Sequence, residues 1–381
     1  MRIFTAAFLL LLPNLVLPGS AADRGPIAAR MQEMIARGEI PGAVTLVATR
    51  DGVTHFEATG NAAPGGARMR KNSIFWIASM TKPITGTAIL MLEEAGKLSV
   101  TDPVSKFIPA FAQLKTPSGA PANLTLQHLM THTSGLAEAT PAESAAAHTL
   151  ADLIPAFLDK PMRFEPGAEW RYCQSGINTL GRIIEIASGQ SYPDFLAARI
   201  FRPLGMKDTT FYPRPNQLSR LVTPVKREEN GTLVPAAIAL LQGKPPTATD
   251  RYPAANGGLF STAPDYARFA RMILNGGTLD GRRYLSAESV RRMTTIVTGD
   301  LKTGFTPGNG WGLTWCVVRE PQGITAMLSP GTYGHGGAYG TQAWIDPVKG
   351  TAFILMVQRS NFGNSDASPV RAAFQEAATT P

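Results

Sequence analysis

Strand-like segments gather at the two ends of this 381-residue chain. Near the start, Gly42-Ala-Val-Thr-Leu-Val-Ala48 and Val53-Thr-His-Phe-Glu-Ala58 flank Arg50-Asp51-Gly52. Two β-rich runs around an Asp-Gly turn predict a hairpin. Near the other end, Gly312 to Val318, Gly340 to Ile345 and Thr351 to Val357 read as strands, with Asp346-Pro347 to Gly350 as the turn between the last two. Helical spacing runs from Ile27 to Arg37 and dominates residues 80–300. There Leu150 to Leu158, Thr179 to Ala187, Tyr192 to Arg199 and Ala263 to Leu274 carry apolar faces at the helical period. No internal repeat is visible. The expected fold is therefore α+β. One antiparallel sheet is built from both chain ends (about 24–78 and 305–375), is flanked by helices, and holds an inserted mainly helical region (about 79–300).

Residues 1–22 stand outside that plan. Arg2 gives a positive start, Phe8 to Leu12 an apolar stretch, and Ser20-Ala21-Ala22 a small-residue cleavage site. That is the layout of a secretory signal peptide, cut near Ala22. Beyond it no apolar run reaches the roughly 18 residues of a membrane span; Ile74 to Leu92 comes closest and is broken by Lys82. Residues 23–381 are expected as one exported domain, periplasmic or extracellular, without a stable membrane span. The net charge of +8 is scattered in small clusters such as Arg68, Arg70 and Lys71. No long basic run interleaves with aromatics, so nucleic acid is not an expected partner, and no obligate protein partner is evident. With 44% hydrophobic residues the core is ample. Cys173 and Cys316 are accordingly expected as separate buried thiols.

The chemistry is first narrowed by absences. No serine sits in Gly-x-Ser-x-Gly, and there is no His-Glu-x-x-His. His128 and His132 have i, i+4 spacing, but Thr133-Ser134-Gly135 follows at once, so a structural pair is expected and no metal site. Gly334-His-Gly-Gly-Ala-Tyr-Gly340 puts Tyr339 where a dinucleotide loop needs its third glycine, so no cofactor is expected either.

What remains is Ser79-Met80-Thr81-Lys82, followed by Pro83 and an apolar helical face through Ile84, Ala88, Met91 and Leu92. Ser79 is thus expected at or just before the first turn of a buried helix. A spacing of three brings the Ser79 hydroxyl and Lys82 amine to one face, about 5–6 Å apart at Cβ. Unpaired N–H groups and the helix dipole favour an oxyanion there. A desolvated Lys82 can lose its proton and act as base toward Ser79. With 19 serines and 11 lysines, chance alone gives about 0.5 Ser-x-x-Lys matches, so its context decides.

Five segments supply that context. Phe75-Trp-Ile-Ala-Ser-Met-Thr-Lys-Pro83, Leu126-Gln-His-Leu-Met-Thr-His-Thr-Ser-Gly-Leu136 and Glu165-Pro-Gly-Ala-Glu-Trp-Arg-Tyr172 resemble the serine β-lactamase-related family. Pro253-Ala-Ala-Asn-Gly-Gly-Leu-Phe-Ser-Thr262 and Gly334-His-Gly-Gly-Ala-Tyr-Gly-Thr341 do so too. The resemblance is to class C β-lactamases, DD-peptidases and family VIII esterases, over roughly residues 26–360. It implies Ser79 as nucleophile, Lys82 as its partner, and Tyr172 as a phenolate sharing the base role. His335-Gly336-Gly337 falls where the family has Lys-Thr-Gly on an inner strand. The N–H groups of Ser79 and Ala338 would then form the oxyanion hole. Gln174 stands for the family's second-element Asn, and with His335, Gly336 and Gly337 would contact substrate.

Two departures set the expected function. Gln174 keeps an amide but lengthens it. His335 and Gly336 remove a permanent cation and a hydroxyl that help hold a substrate carboxylate in penicillin-recognising members. A His335 with an ordinary pKa of roughly 6.5 would regain part of that anion binding as pH falls from 8 to 6. Lys302-Thr303-Gly304 spells the family's third motif literally, but Phe305-Thr-Pro-Gly-Asn-Gly310 follows, so it is expected in a loop. The expected function is a secreted serine hydrolase cleaving small-molecule esters or amides through an acyl-Ser79 intermediate. The alternatives are a β-lactamase or DD-carboxypeptidase, and a catalytically silent envelope binding protein.

Overall fold

The structure, a computed structural model, describes residues 25–380. The segment 1–22, expected as a signal peptide, lies outside the described residues. Seven strands form the main sheet: β1 (Gly42–Thr49), β2 (Val53–Gly60), β3 (Asn309–Trp311), β4 (Cys316–Val318), β5 (Tyr333–Gly336), β6 (Gln342–Asp346) and β7 (Thr351–Met356). Their order is β2-β1-β7-β6-β5-β4-β3, and every neighbouring pair is antiparallel. The two chain ends meet where β1 pairs with β7, Val44 opposite Met356 through Thr49 opposite Thr351.

Alternation along these strands divides the core in two. Ala43 and Val47 of β1, Trp344 of β6 and Phe353 and Leu355 of β7 face one cluster. It is completed by Ile27, Met31 and Met34 of α1 (Gly25–Ala36) and Val370 and Phe374 of the C-terminal helix (Pro369–Thr379). Val44, Leu46, Ala48, Ile345, Ile354 and Met356 face the other way, into the larger cluster beneath the helical region. Both faces are covered, so β1 is buried along almost its whole length. In the helical region α4 (Ala263–Leu274) packs on that second face, while α2 (Thr81–Glu94) and α3 (Gln174–Ser188) pack against each other in the same cluster. Among the described residues no helix is long and apolar enough to cross a membrane.

The α+β architecture agrees with the sequence reading, with local corrections. Gly312 to Val318 is not one strand: β3 and β4 form a hairpin, with Gly312 N–H bonded to Trp315 O at 2.8 Å. The chain turns because Leu313 and Thr314 give their N–H groups to Met293 O and Met130 O, with Thr314 left-handed at φ +68°. Leu150 to Leu158 splits into a 3-10 turn and a short helix, Ile154–Leu158, around Pro155, which lacks an N–H. The inserted region also holds short strand pairs, among them Val225–Arg227 with Leu233–Pro235. Cys173 and Cys316 are free and buried, as expected. One packing contact is testable. A Cβ on Gly86, inside α2, would overlap the Thr314 side chain. Alanine in a helix interior normally gains about 1 kcal/mol over glycine. Gly86→Ala should instead lose about 1–3 kcal/mol through overpacking, seen as a lowered midpoint in urea unfolding.

Candidate active site

From Ser73 to Leu92 every residue is buried except Ser79. The chain reaches it through β-paired Phe75–Trp76, then a 3-10 turn, Ala78–Met80, that runs into α2. Ala78 is left-handed at φ +46°, a conformation few non-glycine residues hold without support. Support comes from two sides. Ile77 N–H bonds to Leu259 O at 3.0 Å, Trp76 Nε1–H to Gly257 O at 2.7 Å, and the Thr81 hydroxyl to Ala78 O at 2.7 Å. From the sheet, the Thr341 hydroxyl donates to Ile77 O at 3.3 Å. The sharp turn thereby holds the serine at the surface of an otherwise closed core. Ser79 itself makes no capping bond; the N-cap of α2 is Met80.

Lys82, one turn on, is fully buried. Its Nζ lies 3.0 Å from Ser79 Oγ and 2.6 Å from Asn256 O. Burial lowers its pKa to about 7, against the opposing pull of Glu138. The same amine sits 4.6 Å from the centre of the Tyr172 ring. Tyr172 differs from the expectation. Burial pushes its phenol well above the ordinary value, and its hydrogen bond with Ser79 only partly offsets this. The phenolate is therefore disfavoured, and Lys82 is the group tuned to exchange a proton near neutrality.

His335 lies on β5, between β4 and β6, on an inner strand. Its Nδ1 is 2.7 Å from Gly336 O, which can only accept, so Nδ1 carries the hydrogen. Nε2 then offers a lone pair to the Tyr172 hydroxyl at 3.5 Å. Burial first, then the Lys82 charge, bring the His335 pKa down to about 3. The ring stays neutral at any working pH, which removes the reason for a rise in anion binding between pH 8 and 6. Penicillin acylation relative to ester hydrolysis should therefore stay flat over that range, measured as a ratio of second-order rate constants.

Ser79, Tyr172, Gln174, His335, Gly336, Gly337 and Ala338 share one cleft of about 440 Å³, with Phe305, Phe362 and Asp366 on its walls. Gly337 and Ala338 belong to the turn after β5, which Gly337 N–H closes on Thr341 O at 2.7 Å. The Ala338 N–H has no acceptor among the described residues. Gln174 opens α3, and its Oε1 accepts from Asn256 Nδ2 at 2.9 Å. Glu138 caps the same helix through Gln174 N–H (2.6 Å) and Ser175 N–H (2.9 Å). Lys302-Thr303-Gly304 lies in a loop, outside any strand, as expected.

Three contributors went unassigned in the sequence. Asn256 holds both Lys82 and Gln174, though its segment was noted only as a motif. His132, expected to be structural, packs its ring 4.4 Å from that of Tyr172 and accepts from Cys173 N–H at 3.1 Å. Asp366 carried no signal at all, because only tertiary structure brings it to the cleft.

Comparison with known proteins follows the same lines. The sequence model of the family described as Beta-lactamase matches residues 27–378. Penicillin-binding protein 4 of Amycolatopsis lactamdurans is 32% identical over 319 residues, covering 83% of this chain and 79% of that protein. Esterase EstB of Burkholderia gladioli is 28% identical over 390 residues, covering 93% and 96%. Among solved structures, EstCE1, a hydrolase with promiscuous acyltransferase activity, superposes with a TM-score of 0.81 at 22% identity, covering 94% of this chain and 98% of that one.

Proposed function

The chain belongs to the beta-lactamase family, a family of serine hydrolases, and from that premise we propose that it hydrolyses small esters or amides through an acyl-Ser79 intermediate. The observation that carries this reading is the buried Lys82 amine, 3.0 Å from Ser79 Oγ with its pKa lowered to about 7. One amine N–H is given to Asn256 O, which leaves the nitrogen lone pair for the serine proton. As that proton passes to Lys82, Ser79 Oγ bonds to the substrate carbonyl carbon. The carbonyl oxygen gains the charge, which in this scheme the N–H groups of Ser79 and Ala338 receive. Lys82 then returns the proton to the leaving group, and water hydrolyses the acyl-serine by the reverse transfers.

In this scheme Tyr172 serves as a neutral phenol, bonded to Ser79 and facing the His335 lone pair. It relays the return step, giving its own proton to the leaving group as Lys82 replaces it. Tyr172→Phe should preserve the fold and lower kcat by about 10²-fold, the lower range for a positioned proton carrier. Steady-state rates with a p-nitrophenyl ester check this; an unchanged kcat would reduce Tyr172 to a packing residue.

Hydrolysis of p-nitrophenyl acetate tests the reading as a whole, and its complete absence would favour a silent binding protein. The penicillin-directed alternative draws on the relative named a penicillin-binding protein. A neutral His335 beside a carboxylate side chain argues for neutral esters over it. Acylation by a fluorescent penicillin separates the two. Export rests on the leader-like residues 1–22, and N-terminal sequencing of the mature protein tests it.

A further inference from the structure

The floor of the cleft beyond His335 is shaped by a pair of residues that fit only each other. A Cβ on Gly336 would overlap the Asp366 Oδ1 and crowd the Gln342 amide, so a threonine there has no room. The loss of a hydroxyl from the third motif is thus the counterpart of a carboxylate that enters from the segment before the C-terminal helix. Asp366 is fixed in that position. Its N–H bonds to Asn364 Oδ1 at 3.0 Å, its main-chain carbonyl accepts from Arg371 Nη1 at 2.5 Å, and Oδ1 accepts from Gln342 Nε2 at 3.3 Å.

Its carboxylate makes no ion pair among the described residues, although the Arg371 charge acts on it and opposes the effect of burial. Arg371 is the basic group acting on it, yet that guanidinium is bound to main chain and to Gln375, and lies 4.1 Å from the centre of the Trp344 ring. No ion pair joins Arg371 or any other cation to Asp366 among the described residues. Oδ2 takes no hydrogen bond among them either. His335, which lines the same cleft, is neutral and has both nitrogens committed elsewhere. Burial raises the Asp366 pKa, against the opposing Arg371 charge and the Gln342 hydrogen bond. An ionised carboxylate without an ion pair in a recess repels anions and rewards a cation that can reach it.

We infer that Asp366 sets the substrate specificity of this cleft, selecting esters or amides that carry an ammonium group and rejecting those that carry a carboxylate. The inference rests on the hydrolase reading of the Ser79 site and names the substrate class of that site. The ammonium would dock on Asp366 Oδ2, in the recess between Gly336, Phe305 and Phe362. This reverses the charge preference of a site that holds a substrate carboxylate through a lysine.

The test uses two isosteric ester series, one with its end group on the acyl chain and one with it on the alcohol. Each series comprises an ammonium, a methyl and a carboxylate member. The methyl ester reports whether the Ser79 site hydrolyses esters at all, which tests the underlying reading. The ratios to it within each enzyme test the inference. In the native protein the ammonium-to-carboxylate ratio of kcat/KM should exceed tenfold in at least one series. In Asp366→Asn, which keeps the shape and the Gln342 contact, that ratio should fall at least tenfold. Equal native rates for ammonium and carboxylate members would overturn the inference without any variant. So would an Asp366→Asn protein, folded by circular dichroism, that keeps the native ratio within twofold.

Discussion

Ser79→Ala should lose labelling by a fluorophosphonate entirely and ester hydrolysis by on the order of 10⁴-fold or more, as removal of a nucleophile does where binding and oxyanion donors persist. The fold should be unaffected. The serine hydroxyl caps no helix, since Met80 is the N-cap of α2 and makes no side-chain bond. Ser79 is the one residue of its run that is not buried, so no cavity follows truncation. Stability should change by only about 1 kcal/mol, the worth of the hydrogen bonds the hydroxyl makes to Lys82 and Tyr172. A first-turn serine acting as a cap would have cost about 0.5–2 kcal/mol. Thermal unfolding of the variant shows that it is folded, while mass spectrometry of the labelled native protein locates the nucleophile. A label on a peptide without Ser79 sinks the assignment.

How much of this could be seen in the sequence depends on whether a feature is local. The Asp51-Gly52 hairpin and β7 were legible because a turn dipeptide and a short, continuously apolar run are written in neighbouring residues. Ser79 and Lys82 were legible because three residues of helix bring them together whatever surrounds them. β5, Tyr333–Gly336, has two glycines and a histidine among four residues, no strand propensity of its own, and was placed only through the family resemblance. Its strand state comes from β4 and β6 on either side. The break between β3 and β4 was hidden because Thr314, not a glycine, takes the left-handed turn, held by a carbonyl from a distant helix. The pKa values were the least legible. Tyr172 was expected to ionise beside an ammonium, and His335 to titrate near neutrality. Both expectations counted charges and left out burial, which is the first cause of the shift at each. Asp366 and Asn256 needed the assembled cleft.

That same burial makes Lys82 the residue with the most diagnostic pH behaviour. A lysine whose folded pKa is lowered to about 7 is protonated below that pH and cannot accept the serine proton; above it the free amine can. The kcat/KM of a neutral ester should accordingly fall about tenfold per pH unit below a limb near pH 7 and level off above it. Neither of the imidazoles beside it nor the Tyr172 phenol competes for that limb. His335 is brought down to about 3 and His132 well below its ordinary value, both chiefly by burial, while burial moves the Tyr172 phenol upward. Lys82→Ala should cost at least about 10²-fold in kcat/KM. Lys82→Arg should fare little better, because a guanidinium keeps its proton at working pH and cannot serve as base. The residual activity of both variants should be flat across pH 6 to 8, since the titrating group is gone. An arginine variant with near-native turnover would show that Lys82 acts only as a positive charge. A limb near 7 that persisted in Lys82→Ala would assign the base to another residue and leave the buried amine as a positioning group for Ser79.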